Sequence, residues 1–229
     1  MRQFRNEWKY IIDGKCKDII KSRLDAILPY DEYSESGLYH VHNIYFDDYK
    51  NTCALKTEAG DAKRYKWRIR YYGNDLSTLK LERKEKIYGR CYKETCKLNK
   101  YEYEAILSRD TTLIWHTNKR LIKRFYVDMM NRYYTPKVII DYERIAYVDR
   151  TLNIRITFDK CISASYEYNK FLTNDFIKIP IQEKDTYILE VKFDNILPSY
   201  IKNIIESVYS IQTSFSKYYN GRKVVEVLK

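Results

Sequence analysis

The chain combines a large apolar fraction with an excess of positive charge over its 229 residues. Hydrophobic residues make up 45% of it and aromatic residues 16%, which excludes a disordered chain and provides enough apolar surface for a core. Lys and Arg number 42 against 31 Asp and Glu, a net charge of +11. This balance predicts an anionic partner: nucleic acid, a phosphorylated small molecule, polyphosphate or an acidic membrane surface.

The cysteines and the first residues indicate the compartment. The five cysteines are an odd number and form no C-x-x-C pair, which argues against a zinc ribbon or a disulfide framework and favours a reducing environment. The opening "MRQFRNEWKY" is too charged for a signal peptide. No run approaches the roughly 18 consecutive apolar residues of a membrane span. We therefore expect a cytoplasmic protein without direct membrane insertion.

Hydrophobic periodicity predicts mainly strands, with helices near the start, middle and end of the chain. The predicted strands are 4–12, 38–46, 62–72, two strands within 77–98 that turn near residues 88–89, 137–149, 152–159, a short piece near 161–166, and 186–194. The predicted helices are 14–28, 47–59, 99–109, 118–133 and 198–210. Because the strands follow one another without regular helical crossovers, the sheet is expected to be mostly antiparallel.

The stretch "YKWRIRYYG" (65–73) shows the most distinctive pattern. Read as a strand, it places Lys66, Arg68 and Arg70 on one face and aromatic or apolar side chains on the other. Other predicted strands repeat this division, so that one face of the sheet carries twelve cations and four acids. The cations are Lys9, Arg64, Lys66, Arg68, Arg70, Lys80, Lys84, Lys86, Lys93, Arg144, Arg155 and Lys192; the acids are Glu7, Glu82, Asp159 and Glu190.

Such a face repels itself unless an anion is bound to it. If the sheet closes into a barrel, the charged face becomes its interior and forms a cationic receptor for a narrow, highly charged anion. Arginine binds phosphate with two parallel hydrogen bonds, and lysine acts as a point charge. A carboxylate among these cations is explained either by a divalent metal that bridges to phosphate, for which Glu190 is the best candidate, or by a salt bridge to Lys192 or a cross-strand arginine.

Nine short pieces, in order along almost the whole chain, resemble the VTC domain, the polyphosphate polymerase domain of the triphosphate tunnel metalloenzymes. The pieces are "RNEWKY" (5–10), "NIYFDD" (43–48), "YKWRIRYYG" (65–73), "LKLERKEK" (79–86), "CYKET" (91–95), "YERIAYVD" (142–149), "NIRITFDK" (153–160), "ILEVKFD" (188–194) and "FSKYYNG" (215–221). The resemblance implies one domain over residues 1–229 with an α+β fold, an antiparallel β-barrel tunnel whose helices pack around the outside.

The resemblance also implies roles for particular residues. The catalytic, phosphate-binding bases would be Lys9, Arg68, Arg70, Lys84, Lys93, Arg144, Arg155 and Lys217. Further substrate-binding residues would be Tyr142, Ser216 and Lys192, to which strand parity adds Lys66 and Lys86. Glu190 would bind Mn²⁺ or Mg²⁺, assisted by Glu7. The broader tunnel enzymes open with E-x-E-x-K, whereas this chain has Arg5 in place of the first acid, a change that suits a transferase better than a hydrolase.

The implied reaction is transfer of the γ-phosphate of ATP to a growing polyphosphate chain. One alternative is a triphosphatase or polyphosphatase that uses water as the acceptor, and another is a catalytically silent module that binds polyphosphate or a nucleotide. Nucleic acid is a poor candidate, because the aromatic residues mostly occupy the packed face, away from the cations. No phosphate-sensing or membrane-spanning segment is recognised, so we expect a separate small membrane protein as partner and a location at the inner face of a membrane through it.

Overall fold

A computed structural model describes residues 4–34 and 37–228. Within them the chain forms ten strands and seven α-helices. The strands are β1 (Asn6–Asp13), β2 (Tyr39–Asp47), β3 (Lys63–Tyr72), β4 (Asp75–Ile87), β5 (Arg90–Lys97), β6 (Thr135–Asp149), β7 (Ile154–Ser165), β8 (Ile179–Pro180), β9 (Thr186–Phe193) and β10 (Ile211–Gln212). The helices are α1 (Gly14–Asp25), α2 (Thr52–Glu58), α3 (Lys100–Ser108), α4 (Leu113–His116), α5 (Arg120–Arg132), α6 (Ser199–Glu206) and α7 (Lys217–Val227).

The strands form one antiparallel sheet in the order β10-β1-β9-β7-β6-β2-β3-β4-β5, with β8 added to β7. No continuous ladder joins the two edges of this sheet. Instead, Arg5 and Cys91 exchange two backbone hydrogen bonds of 2.9 Å, which link the start of β1 to β5. The predicted α+β class and antiparallel tunnel fold are confirmed, although the sheet is not closed into a complete barrel and its two edges meet at this isolated bridge.

The packed face of the sheet is buried beneath the helices, as the alternation in the sequence predicts. On β3, Trp67 and Ile69 are fully buried, and Trp67 lies 4.9 Å from the ring of Phe125 on α5. A second apolar cluster joins α1 and α6 to β7 and β9 through residues such as Ile20 and Ile201. Burial of each large side chain contributes about 2–3 kcal/mol, so the helices hold the sheet in its curved form.

Helix α7 lies on the opposite, concave side of the sheet. Gly221 faces Ile140 and Val138 on β6, which have the same strand parity as Arg144. A Cβ at Gly221 would lie 2.2 Å from Cδ1 of Ile140, so only glycine allows this approach without displacing a neighbour. Because α7 sits inside the curve, its first residues, Ser216 and Lys217, reach the charged face. No helix was predicted from the sequence for this segment.

Three details differ from the predicted elements. The segments 152–159 and 161–166 are one strand, β7, whose register against β6 shifts near Glu143, and Cys161 has a φ of +52°. The short helix α4 was not predicted. The region 161–185, which contains none of the nine family-like pieces, contributes the end of β7, a 3-10 turn at Tyr168–Lys170 and β8. Among the described residues no helix has the length and apolar character needed to cross a membrane.

Candidate functional site

The concave face of the sheet and the start of α7 enclose a cavity of about 450 Å³. Eleven Lys or Arg side chains line it, against two carboxylates. The lining residues are Arg5, Asn6, Glu7, Lys9, Tyr45, Lys66, Arg68, Arg70, Tyr72, Lys84, Cys91, Tyr92, Lys93, Tyr142, Arg144, Arg155, Glu190, Lys192, Ser216, Lys217 and Tyr218. Fourteen of the fifteen site residues predicted from the sequence are in this set, although they come from seven strands and one helix.

Lys86 is the predicted site residue that does not line the cavity. It lies on β4 two positions beyond Lys84, opposite Arg64 on β3 and Cys91 on β5. Two other cations of the predicted charged face, Arg64 and Lys80, are also absent from the cavity wall. Strand parity gives the correct face for these residues but not their position along the tunnel.

Like charges lie directly opposite one another in this wall. Lys66 on β3 pairs in register with Lys84 on β4, which pairs in turn with Lys93 on β5. On the other side of the cavity, Arg155 pairs with Lys192. Opposed like charges destabilise a sheet, because their repulsion is not offset across the strands. A row of this kind is therefore better suited to holding an anion than to stabilising the protein.

Two carboxylates, Glu82 and Asp159, are held by arginines and are called here the guanidinium-held carboxylates. Glu82 accepts hydrogen bonds from Nε of Arg68 and from Nζ of Lys93, both at 2.7 Å. Asp159 accepts two bonds from Arg144, at 2.6 and 2.8 Å, and lies 2.6 Å from Nζ of Lys217. Both acids are fully buried. They fix the directions of the guanidinium groups around the cavity.

Their ionisation follows from these contacts. Burial raises the pKa of Glu82, but the attraction of Arg68 and Lys93 lowers it by a larger amount. The resulting pKa is well below the usual range of a glutamate. For Asp159, burial likewise raises the pKa, and the attraction of Arg144 and Lys217 outweighs burial and lowers the pKa to about 2. Both side chains are therefore anionic at neutral pH.

Glu7 and Glu190 form a second arrangement, called here the β1–β9 carboxylate pair. In register, Lys9 lies opposite Glu190 and Glu7 lies opposite Lys192. Nζ of Lys9 is 3.4 Å from Oε1 of Glu7 and 3.6 Å from Oε2 of Glu190, so one ammonium is shared between two acids. Glu7 also contacts Nζ of Lys84 at 2.6 Å, and Lys192 contacts Glu190.

Burial raises the pKa values of both members of this pair, and their mutual repulsion raises that of Glu7. The surrounding lysines, led by Lys84 for Glu7 and by Lys192 for Glu190, lower both pKa values below the usual range. Conversely, burial lowers the pKa of Lys192 to about 8 despite the attraction of Glu190. The pair is anionic at neutral pH, and its closest counter-charges are flexible lysine side chains.

The donor set of the β1–β9 carboxylate pair fits Mg²⁺ or Mn²⁺. Both ions prefer carboxylate oxygens, and Mg²⁺ is commonly held by one or two carboxylates together with phosphate oxygens of a substrate. The shared ammonium of Lys9 already places a cation between the two acids. No group of three or more His, Cys, Asp or Glu that could hold a metal occurs within 4–34 and 37–228. Glu7 and Glu190 would therefore hold a metal only together with oxygens of a bound phosphate.

Several functional neighbours were not singled out from the sequence. Arg70 donates through Nε to Asn43 at 2.6 Å and through Nη2 to the hydroxyl of Tyr142 at 2.9 Å. Arg68 donates to the hydroxyl of Tyr45 at 3.0 Å. Asn43 and Tyr45 share a strand parity that alternates with buried apolar residues of β2, so the same parity argument would have found them. Arg155 instead reaches outside the sheet to Asp31, at 2.5 Å.

His40 and His42 are not part of this cavity. The two imidazoles stack with their ring centroids 6.0 Å apart, and Nδ1 of His42 lies 2.6 Å from a carboxylate oxygen of Asp141. Their side chains are on the face opposite to that of Asn43. Two histidines on one strand face are read from the sequence either as a metal pair or, preferably, as structural residues, and the packing of His42 against Tyr71 agrees with the structural role.

The model of the VTC domain family matches residues 4–226 of the chain. A search of curated proteins found no match. One similar solved structure is HpAC1 from Hippeastrum, described as a candidate adenylyl cyclase with a dominant triphosphatase activity. It is 14% identical to this chain with a TM-score of 0.58, and the alignment covers 97% of this chain and 96% of that chain. A candidate adenylate cyclase from Bacillus halodurans is 11% identical at a TM-score of 0.50, covering 90% and 88%. At these identities the likeness shows a shared fold.

Proposed function

The chain belongs to the VTC domain family, and we propose that it is an ATP-dependent polyphosphate polymerase, which transfers the γ-phosphate of ATP to a growing polyphosphate chain. The single observation that carries this proposal is the cavity wall, in which eleven Lys and Arg side chains surround only two carboxylates. A linear anion with one or more charges per phosphate would neutralise these opposed cations, whose mutual repulsion otherwise destabilises the sheet.

Alignment and charge neutralisation are the main contributions that a protein makes to phosphoryl transfer. Arg68 and Arg144 would each present a planar guanidinium group whose direction is fixed by a guanidinium-held carboxylate. Arg70 would be aligned by Asn43 and Tyr142. Lysines on β1, β4, β5 and β9 would act as point charges along the remaining phosphates. The arrangement would hold donor and acceptor phosphates in one line.

The β1–β9 carboxylate pair is proposed as the place where Mn²⁺ or Mg²⁺ binds together with the phosphates. When bound, the metal would neutralise charge on the transferred phosphoryl group. Lys9 and Lys192 would then turn from the carboxylates toward phosphate oxygens, because the metal would replace the attraction that these lysines now provide. The acceptor, a terminal phosphate, is already ionised at neutral pH, so chain growth needs no general base.

The rival activity is hydrolysis of a triphosphate or of polyphosphate in the same cavity, with water as the acceptor. HpAC1, which shares the fold, is described as having a dominant triphosphatase activity. Incubation with ATP and Mn²⁺, with the products resolved on a gel, separates the possibilities. ADP together with long polymer supports the polymerase, phosphate release without polymer supports hydrolysis, and binding without turnover supports a silent module.

A cytoplasmic location and a membrane partner are also proposed. A polymer that grows in a tunnel must leave it, and a separate small membrane protein at the inner face of a membrane would accept the product. Copurification of such a protein with the tagged chain from detergent extracts, followed by mass spectrometry, tests this. Recovery of the chain entirely in the soluble fraction, with no membrane protein attached, would contradict it.

A further inference from the structure

Ser216 and Lys66 form a hydroxyl–amine contact in the cavity wall. Their Oγ and Nζ atoms are 3.0 Å apart, and both side chains line the cavity. Ser216 is also the N-cap of α7, where its Oγ accepts a hydrogen bond from the backbone N–H of Tyr219 at 3.3 Å. Nζ of Lys66 donates to the same oxygen, so the two bonds use both of its lone pairs and leave the hydroxyl proton to point into the cavity. When the amine is neutral, its own lone pair can instead accept the hydroxyl proton.

Lys66 differs from the other lysines that flank it. Lys9 and Lys84 each have a carboxylate within ion-pair distance, whereas no carboxylate within the described part of the chain is that close to Lys66. Its neighbours are the ring of Tyr218, 5.0 Å away, and the hydroxyl of Ser216. Burial and repulsion from Lys9 and Lys84 lower the pKa of Lys66 to about 7. A substantial share of the molecules therefore carries a neutral amine near pH 7, a base adjacent to a hydroxyl.

We propose that Ser216 is a phosphorylation site, and that its phosphoserine is the first acceptor on which a polyphosphate chain grows. The inference rests on the proposed function, since the donor is a triphosphate bound in the same cavity. Oγ of Ser216 attacks the γ-phosphorus, a new O–P bond forms, and the bond between the γ-phosphorus and the bridging oxygen breaks, so that its electron pair leaves with ADP. The hydroxyl proton passes to Nζ of Lys66 and then to solvent.

This reaction answers a chemical need of polymerisation. A terminal phosphate is an ionised acceptor, but before any chain exists the acceptor must come from elsewhere. A serine hydroxyl needs a base, and Lys66 is the amine in contact with it. The product would be well placed, because the phosphoserine would lie at the N-terminus of α7 with Lys9 and Lys217 beside it.

The pH dependence follows from the groups around Lys66. Those that act on its charge are Lys9 on β1, Lys84 on β4, Arg64 on its own strand and Cys53 on α2, with Tyr218 and Ser216 on the α7 side. Only the neutral amine accepts a proton, so phosphorylation of Ser216 should rise with pH through the pKa of Lys66. A bound triphosphate raises that pKa, because it adds negative charge nearby. The rise should therefore lie above pH 7.

The test is a time course with ATP and Mn²⁺, quenched in acid and followed by intact-mass and peptide mass spectrometry. Acid removes phosphoanhydride-linked phosphates but leaves the phosphoserine ester, so the expected result is the mass of one phosphate on Ser216. Lys66→Arg keeps a positive charge but cannot act as a base, and should slow the modification about a hundredfold. Ser214→Ala, an exposed hydroxyl on the same segment, should have no effect.

The outcomes separate this inference from the proposed function. ADP and polymer without phosphate on Ser216, or with phosphate at another residue, would overturn the inference and leave the polymerase standing. Phosphoserine at 216 without polymer would confirm the phosphorylation site but overturn both its role as first acceptor and the polymerase, and the absence of both products would overturn the inference and the proposed function together. Ser216→Ala also loses the α7 cap, worth about 1 kcal/mol, so its folding is checked by thermal unfolding. In that variant, synthesis from ATP alone should fall more than elongation of added tripolyphosphate.

Discussion

Two sets of acids on the charged face of the sheet are held in different ways, and only the second set lines the cavity. The guanidinium-held carboxylates, Glu82 and Asp159, each contact an arginine and a lysine at 2.6–2.8 Å and are wholly buried. In the β1–β9 carboxylate pair, Glu7 and Glu190 share the ammonium of Lys9 at 3.4 and 3.6 Å, and each has one closer lysine, Lys84 at 2.6 Å for Glu7 and Lys192 for Glu190. A planar guanidinium group together with one lysine holds each acid of the first set, whereas the close contacts of the second set are all with lysines.

The difference indicates a division of labour. A carboxylate whose oxygens are held by an arginine as well as a lysine has little capacity left for a metal, and its value lies in orienting the arginine. A carboxylate neutralised by flexible lysines can exchange those cations for a divalent ion at modest cost. We therefore expect changes in the β1–β9 pair to affect turnover first, and changes in the guanidinium-held carboxylates to affect stability first.

The largest expected effect is that of Glu190→Gln on turnover. The amide keeps the shape but removes the charge that would hold the metal, so ADP formation should fall about a thousandfold while triphosphate binding is largely retained. Turnover is measured with ATP and Mn²⁺, and binding by calorimetry. Glu82→Gln is the matched control, with a smaller expected loss of turnover. Full activity of Glu190→Gln in metal-containing buffer would show that the metal assignment is wrong.

The next effect is that of Asp159→Asn on stability. It removes the charge opposite Arg144 and Lys217 in a buried site, which should lower the free energy of unfolding by about 3 kcal/mol in urea titrations. The pKa of Asp159 is depressed to about 2 in the folded protein. Its stabilisation is therefore present above the unfolded pKa of about 4 and is lost as pH falls toward 2.

Bound tripolyphosphate should restore part of the stability of Asp159→Asn, because the anion supplies the missing negative charge. Glu190→Gln is the comparison variant and should lose less stability. An Asp159→Asn protein as stable as the unaltered one across this pH range would remove the distinction between the two sets of acids.

A smaller effect concerns the lysines. Burial lowers the pKa values of Lys66 to about 7 and of Lys192 to about 8, both below their unfolded values. Between those values and about 10 the unfolded chain binds more protons, so the stability of the ligand-free protein should rise with pH in this window. Urea unfolding at several pH values measures it. Lys66→Met should flatten the rise, and a profile identical to that of the unaltered protein would contradict the assignment.

The smallest effect is expected at Lys86, which shares the strand parity of Lys84 but does not line the cavity. Lys86→Met should change turnover by less than about twofold and stability by less than about 0.5 kcal/mol. Lys84→Met, its matched partner on β4, should reduce triphosphate affinity strongly because Lys84 lies inside the cavity. Equal losses in the two variants would mean that the charged face acts beyond the enclosed cavity.

Most residues of this site could be predicted from the sequence, because the alternation of side chains along a strand is a local property. The parity of Lys66, Arg68 and Arg70 follows from backbone geometry alone and does not depend on what the strand pairs with. The same argument assigned Lys84 and Arg155 to one face. It was less informative at 161–185, where the shifted register of β7 and the short β8 depend on pairing with distant strands.

The amino-acid sequence by itself determined which residues face together, the antiparallel α+β class and, through ordered motifs, the family. Only the tertiary structure decided how far along the tunnel each cation lies, which excluded Lys86 from the wall, and which acid neutralises which cation. It also decided that α7 enters the concave side and brings Ser216 against Lys66. The physical reason is that the face of the sheet on which a side chain lies is set by the local backbone. Its position along the tunnel, the meeting of the sheet edges and the pairing of charges are set by contacts between segments far apart in sequence.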